Sequence, residues 1–295
     1  MLKDYELDEY LKKLNVPLPE TQRFQNLVNE LTYFKSSVGN KEITNFNFER
    51  GYILYCLVSL LKPKNILEIG TAQGFGTLCM AWAMNDPNID GNIYTIDFID
   101  HDYEELQYYK KSEKISQRVT TRRKLWKEVA EPAWVQKIHV ITGYVGQVID
   151  KVKLPEIDFF YIDGPHFYSG VKHDFLSSLL ISASNSSFLL DDYIDRPDFG
   201  VKKLVDDEIA DMFNVDLIKN DKSNLMHILG ITKTDYGHIF FQSKKNELIE
   251  HFGLSNIKKY IKKYRRYEKR LKLRNSLNKK IPILKNVRFS KIFKK

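Results

Sequence analysis

Apolar positions along this 295-residue chain change their spacing several times, and those changes divide it into regions. Up to about residue 48 they recur at helical intervals broken by Pro17 and Pro19, which predicts an amino-terminal helical cap over residues 1–48. A helix from Phe48 to Leu61 follows and is expected to end before Pro63. Beyond it, apolar runs of strand length alternate with helix-like stretches: Ile66 to Ile69, Ile93 to Ile96, Ile138 to Thr142, Ile157 to Ile162 and Phe188 to Leu190. Alternation of that kind predicts an α/β chain with a Rossmann-like, doubly wound and mostly parallel sheet. Three more strand candidates, Val215 to Ile218, His227 to Thr232 and His238 to Gln242, would close the sheet in an order the pattern does not set. Between Asp97 and Ile138 lies a charged, aromatic stretch with Tyr108, Tyr109, Arg122, Arg123, Trp126 and Trp134. It is longer than an ordinary crossover. Added helical structure over the mouth of an active site is expected there, with an extra helix packed elsewhere as the alternative.

The run from Asn65 to Met84, NILEIGTAQGFGTLCMAWAM, reads as a buried strand, a glycine turn and an apolar helix. Glycine lets backbone approach a ligand closely, and the helix start offers free N–H groups and a positive dipole end. The spacing is Glu68-x-Gly70-x-x-x-Gly74-x-Gly76, with no lysine in the turn. It fits neither the dinucleotide fingerprint nor the triphosphate loop. After the strand-like Asn92 to Ile96 comes Asp97, placed to accept hydrogen bonds from ribose hydroxyls or else to cap its own loop.

The acidic-x-G-x-x-x-G-x-G signature resembles motif I of the class I S-adenosylmethionine-dependent methyltransferases. The resemblance implies a seven-stranded sheet ending in an antiparallel strand, and a loop that wraps the methionine end of the cofactor. Glu68, Gly70, Thr71, Gly74 and Gly76 are then cofactor-binding positions, with Asp97 on the ribose.

A second constellation runs Ile157-Asp-Phe-Phe-Tyr-Ile-Asp163-Gly-Pro-His166-Phe-Tyr168, followed by Phe188-Leu-Leu-Asp191-Asp192-Tyr193. Both acidic groups cap the carboxyl ends of expected neighbouring strands, the edge at which open α/β sheets bind ligands. Three crowded carboxylates repel unless a cation joins them, and an all-oxygen site suits Mg²⁺. A plainer reading has Asp191 or Asp192 capping the loop. The pattern I-D-G-x-H-x-Y followed by D-D-Y resembles the metal-dependent O-methyltransferases, especially those acting on hydroxyls of sugars and natural products. With motif I this likeness covers residues from about 50 to 245. It implies Asp163, Asp191 and Asp192 as metal ligands and puts His166 where a base stands, with Asp163 and His166 as the catalytic pair. His166 bonded only to loop backbone is the alternative. The chemistry implied is an in-line methyl transfer from the sulfonium to an acceptor oxygen whose proton goes to His166. Two departures from the family pattern stand out. The acidic or amide adenine contact after the Ile138 to Thr142 strand is missing, which leaves Tyr144 or backbone for that role, and Ser182 to Ser187 (SASNSS) replaces a glycine pair.

Charge adds a third region. From Ser255 onward there are 17 Lys or Arg and one acid, Glu268, whereas the rest of the chain holds 29 basic and 37 acidic residues. Residues 246–295 are therefore expected as a basic amphipathic tail, with Ile257, Tyr260, Ile261, Tyr264, Tyr267 and Leu271 forming an apolar stripe. Such a helix can lie on an anionic membrane, grip nucleic acid through phosphates and stacking tyrosines, or pack on the acidic body or a partner subunit, so a homo-oligomer is also allowed for. Membrane or acidic-glycan contact ranks first and nucleic acid last, since no RNA-recognition motif accompanies the tail. Cys56 and Cys79 sit in apolar segments as reduced core residues, which fits a cytoplasmic protein, peripheral at the membrane if the tail binds there. The sequence thus predicts a methyltransferase domain over 49–245 acting on a hydroxyl of a small molecule or glycan, sugar favoured, with Mg²⁺ help. An RNA methyltransferase, or a cofactor-binding scaffold recruited by the tail, are the alternatives.

Overall fold

The structure, a computed structural model, describes residues 1–35, 42–45, 47–86, 88–220 and 236–280, with side chains as far as Arg270. The chain opens with a strand, β1 (Leu2–Glu6), before the amphipathic helices α1 (Leu7–Leu14) and α2 (Thr21–Leu31). Glu20 starts α2 by accepting the backbone N–H groups of Gln22 and Arg23 at 2.8 and 2.7 Å. Short strands β2 (Tyr33–Lys35) and β3 (Ile43–Asn45) precede the apolar helix α3 (Arg50–Leu61), which stops at a left-handed Lys62 before Pro63. The amino-terminal region is therefore helix and strand mixed, where helix alone was expected. Leu2 and Tyr5 stand three apart and read as helical, but the edge of the main sheet captures them as a strand.

The alternating segment follows as β4 (Asn65–Ile69), α4 (Phe75–Asn85) and β5 (Asn92–Asp97). The inserted stretch then departs from the helical expectation. It forms a hairpin of β6 (Glu104–Lys111) and β7 (Lys114–Thr121), with helices α5 (Arg122–Val129) and α6 (Pro132–Val135) only after it. The hairpin turns at Ser112 and Glu113, both at positive φ, as a tight two-residue connection requires. Tyr108 of β6 pairs with Tyr33 of β2, so a second sheet, β3-β2-β6-β7, joins the insertion to the amino-terminal region.

The remainder is β8 (Ile138–Thr142), α7 (Val145–Val148), β9 (Ile157–Ile162), α8 (Tyr168–Ile181), β10 (Ser182–Tyr193), α9 (Val201–Glu208), β11 (Val215–Lys219), β12 (Gly237–Lys244), α10 (Lys245–Phe252) and α11 (Leu254–Lys280). The main sheet runs β1-β11-β12-β10-β9-β4-β5-β8, with β12 antiparallel to both its neighbours and the other pairs parallel. β1 is the addition to the seven strands expected. The candidate strand at His227 to Thr232 lies outside the described residues. β4 and β9 sit at the centre and are buried along almost their whole length, because helices cover both faces of the sheet.

Two apolar layers flank the sheet. One gathers α1 to α4 with Trp126 and Trp134; the other gathers α8, α9 and the start of α11. Ile257 and Ile261 of α11 are buried in this second layer, and the buried Tyr264 ring stacks on His173 at 4.3 Å. Lys258, Lys259, Lys262, Lys263, Arg266, Lys269 and Arg270 face outward. As far as Tyr264 the apolar stripe of the tail thus packs on the body; Leu271 lies beyond the described side chains. Among the described residues no helix is long and apolar enough to cross a membrane.

Candidate active site

Strand order reverses between β4 and β9, and the crevice at their carboxyl ends gathers the residues singled out in the sequence. Gly70 leaves β4 at φ 96° and Gly74 opens α4 at φ 93°, backbone that side-chain-bearing residues rarely adopt. A Cβ at Gly74 would stand 2.3 Å from the Trp126 indole nitrogen, which itself donates to the Gln73 carbonyl at 2.8 Å. Glu68 lies beneath the turn, buried, accepting from Thr77 and, at 2.5 Å, from Thr95, while a Cβ at Gly76 would come within 2.9 Å of its Oε1. Burial pushes the Glu68 carboxyl up to about 7. Thr71 pairs its hydroxyl with that of Thr95 at 2.5 Å. Glu68 and Thr71 thus brace the loop from inside.

Asp97 holds the other side. Its Oδ2 accepts the N–H groups of Thr71 and Ala72 at 3.2 and 2.9 Å, and its Oδ1 accepts that of Ile99 at 2.8 Å. Asp97 thus ties down the loops on either side of it, and Arg122 joins it with Nη2 at 3.2 Å from Asp97. Arg122 is buried with Nε and Nη1 unpartnered, as are Gln73 Oε1 and His101 Nδ1 close by. These orphaned groups suit a ligand that carries hydroxyl, amino and carboxylate groups, as S-adenosylmethionine does. Tyr144 stacks on Phe98 with ring centroids 5.8 Å apart, so a pair of aromatic faces borders this end of the crevice.

At the adjoining strand ends, Asp163 follows β9 and Asp191 and Asp192 lie within β10. The pairing of β10 with β12 shifts register between Leu190 and Tyr193, and Asp192 takes a left-handed φ of 59°. Such an irregularity re-aims side chains, and here it brings consecutive carboxylates to one edge. Asp192 pairs with His166 Nδ1. Burial draws the His166 pKa down, but Asp192 outweighs it and lifts the imidazole to about 9.

Asp163 and Asp191 meet a different cation. Arg50 Nη1 lies 2.9 Å from Asp163 Oδ2 and 3.0 Å from Asp191 Oδ2, and the Tyr161 hydroxyl donates to the same two oxygens at 3.2 and 3.0 Å. Asn47 donates to both oxygens of Asp191, His238 Nδ1 stands 2.7 Å from Oδ1, and the Asp192 N–H donates to Oδ1 at 2.9 Å. Burial opposes the Asp191 charge, yet His238 and Arg50 hold it well below the usual carboxylate range; burial pushes Asp163 the other way.

This donor set does not fit the expected divalent ion. Asp191 has both oxygens engaged, Asp192 is committed to His166, and a guanidinium bridges the gap an ion would fill. Among the described residues no group of three His, Cys, Asp or Glu side chains is arranged to hold a metal. Asp163 and Asp191 instead meet at Arg50, while Asp192 turns to His166.

Arg50, Asn47, Tyr161, His238 and Phe98 were not singled out in the sequence, and Arg122 was noted only as part of the charged insertion. Tyr161 and Phe98 adjoin residues that were, and alternation along β9 signals that Tyr161 and Asp163 share a face. Arg50 and Asn47 carry one faint signal, a polar Asn-Phe-Glu-Arg start to an otherwise apolar helix.

Residues 67–193 match a family model described as a methyltransferase domain. That stretch, which holds the glycine turn, Asp97, His166 and all three aspartates, is similar to a methyltransferase domain. The chain is 27% identical over 119 residues to the uncharacterized protein y4gI of Sinorhizobium fredii, a stretch covering 40% of this chain and 12% of that protein's length. Among solved structures it is similar to the O-methyltransferase TomG from Streptomyces achromogenes, involved in tomaymycin synthesis and in complex with SAM, at 15% identity and TM-score 0.49 over 81% of this chain and 95% of that one. It is also similar to the O-methyltransferase from Bacillus cereus in complex with SAH, at 16% identity and TM-score 0.49 over 81% and 96%.

Proposed function

We propose that this chain is an S-adenosylmethionine-dependent O-methyltransferase whose acceptor is a hydroxyl on a small molecule or glycan. The observation that carries the reading is the His166–Asp192 pair, set at the same sheet edge as the glycine loop within a matched methyltransferase domain. When bound, the cofactor supplies an electrophilic methyl group on a sulfonium sulfur, open to in-line attack by an acceptor oxygen. Glu68, Thr95 and Thr71 keep the loop in shape for it, and Arg122 and Gln73 offer unpartnered polar groups to its polar end. Asp192 fixes the orientation of the His166 ring, whose side chain is 53% exposed and so reaches an entering acceptor. Neutral His166 accepts the hydroxyl proton at its free nitrogen and passes it to solvent. Asp163 contributes by holding Arg50 and Tyr161 beside that path. No step runs through a divalent ion, because the carboxylates that would hold it are otherwise engaged.

For the tail, an anionic membrane surface is the partner we propose. Seven basic residues face outward along the described part of α11, whereas Tyr264 is buried and Tyr260 donates toward the Ser169 carbonyl at 3.3 Å. Rings turned to the body are unavailable for base stacking, which favours a lipid surface over nucleic acid.

The test is calorimetric titration of S-adenosylmethionine into the wild-type chain and into His166→Ala, followed by a screen of hydroxyl acceptors. Binding in both proteins, with transfer lost in the variant, is expected; no cofactor binding to the wild type would overturn the reading.

A further inference from the structure

We infer that Arg50 takes the place of a divalent ion in this centre, and that the three aspartates accept no divalent cation while Arg50 is present. The inference rests on the reading of this crevice as a methyl-transfer site, and four observations carry it. A single nitrogen, Arg50 Nη1, lies within 3.0 Å of carboxylate oxygens from two different strands, the bridging role an ion would have. Arg50 is the first residue of α3, so its guanidinium is presented by a rigid helix packed in the core. Its side chain is 16% exposed and that of Asp191 1%, so an ion could reach these oxygens only by displacing the guanidinium. Finally, Asn47, Tyr161 and His238 complete the ring around Asp191, leaving neither oxygen free for a metal bond.

The exchange changes what the site can select. A hydrated Mg²⁺ offers several open positions and favours acceptors that chelate it through two neighbouring oxygens. A guanidinium is permanently charged, is tethered to the chain and has a fixed fork of donors. An acceptor with a single isolated hydroxyl therefore suffices, and a vicinal pair brings no advantage. Chelators have nothing to remove.

Manganese is the probe, because the free aquo ion gives an electron paramagnetic resonance signal that vanishes on binding. Mn²⁺ is titrated with wild type, Arg50→Ala and Arg50→Lys; melting is followed in EDTA and in Mn²⁺, and S-adenosylhomocysteine binding is measured in EDTA. Wild type is expected to leave the free-ion signal unchanged and to melt at the same temperature in both buffers. Arg50→Ala is expected to take up one equivalent and to melt several degrees higher in Mn²⁺, whereas Arg50→Lys, which keeps the charge, behaves as wild type. Uptake of one Mn²⁺ by the wild type, lost in Asp163→Asn, overturns the inference, and this measurement decides it even if Arg50→Ala does not fold. Failure of wild type to bind S-adenosylhomocysteine would instead overturn the proposed function and leave the manganese result standing.

Discussion

Gly70 and Asp163 are in backbone contact at the point where strand order reverses: a Cβ on Gly70 would lie 1.9 Å from the Asp163 carbonyl oxygen. The cofactor loop and the acidic centre are thus locked together through a place where no side chain fits. Gly70→Ala must both push β9 away and hold alanine at φ 96°. A loss of about 2 kcal/mol or more of stability is expected, read by denaturant unfolding, with cofactor affinity falling in whatever fraction still folds.

The His166–Asp192 pair sets a pH dependence. With the imidazole lifted to about 9, the neutral base becomes more abundant as pH rises toward that value, so transfer should speed up from neutral pH into the alkaline range. Asp192→Asn removes the main cause of the lift, and the rise should move toward the ordinary histidine value of about 6.5. Because the folded pKa is raised, the pair's contribution to stability is complete below about 6.5 and disappears as pH passes about 9. An unchanged pH–rate profile in Asp192→Asn would remove His166 from the reaction.

Glu268 gives the opposite kind of test, one of stability without chemistry. Its carboxyl is buried between α11 and the body, Oε2 has no partner, and burial pushes its pKa up to about 7. A raised carboxyl favours the folded state when protonated, so its cost is absent below the unfolded value of about 4.5 and grows until pH passes about 7. Glu268→Gln should therefore raise the melting temperature at pH 8 and leave it unaltered at pH 4.5; equal shifts at both would show that the charge is not the cause.

The outward face of α11 makes a prediction about surfaces. Vesicles containing phosphatidylserine should sediment the protein at low salt, and neutral phosphatidylcholine vesicles should not, since each basic residue near an anionic surface contributes about 1 kcal/mol. With the apolar stripe packed on the body as far as Tyr264, binding should vanish in high salt instead of persisting through insertion. Reversing Lys258, Lys262 and Arg266 to Glu should abolish it without changing cofactor affinity.

Much of the site was legible because its parts are local. Glu68, Gly70, Gly74 and Gly76 fall within one strand–turn–helix unit, and Asp163, His166, Asp191 and Asp192 follow apolar runs that could only be strands. The identity of the counter-charge was not legible. Arg50 reaches Asp191 across 141 residues and Asn47 across 144, and nothing near either residue marks it as more than the polar start of a helix. The hairpin of β6 and β7 was missed for another reason. Its strands are rich in charge and carry few buried side chains, so the period-two signal is weak, and pairing with β2 supplies the stabilisation that the local pattern lacks.

Those long separations also order events in time. As the chain leaves the ribosome, Asn47 and Arg50 emerge early and wait until Asp191 and then His238 arrive; closing loops of that length is the slow, entropically costly part of assembly. The cofactor loop, complete within a few residues of β4, can form much earlier. A nascent or partly unfolded chain should therefore hold the shape of a cofactor site before it holds any arrangement able to use one, and amide protection around Asp191 should be the last to appear in pulse-labelled refolding.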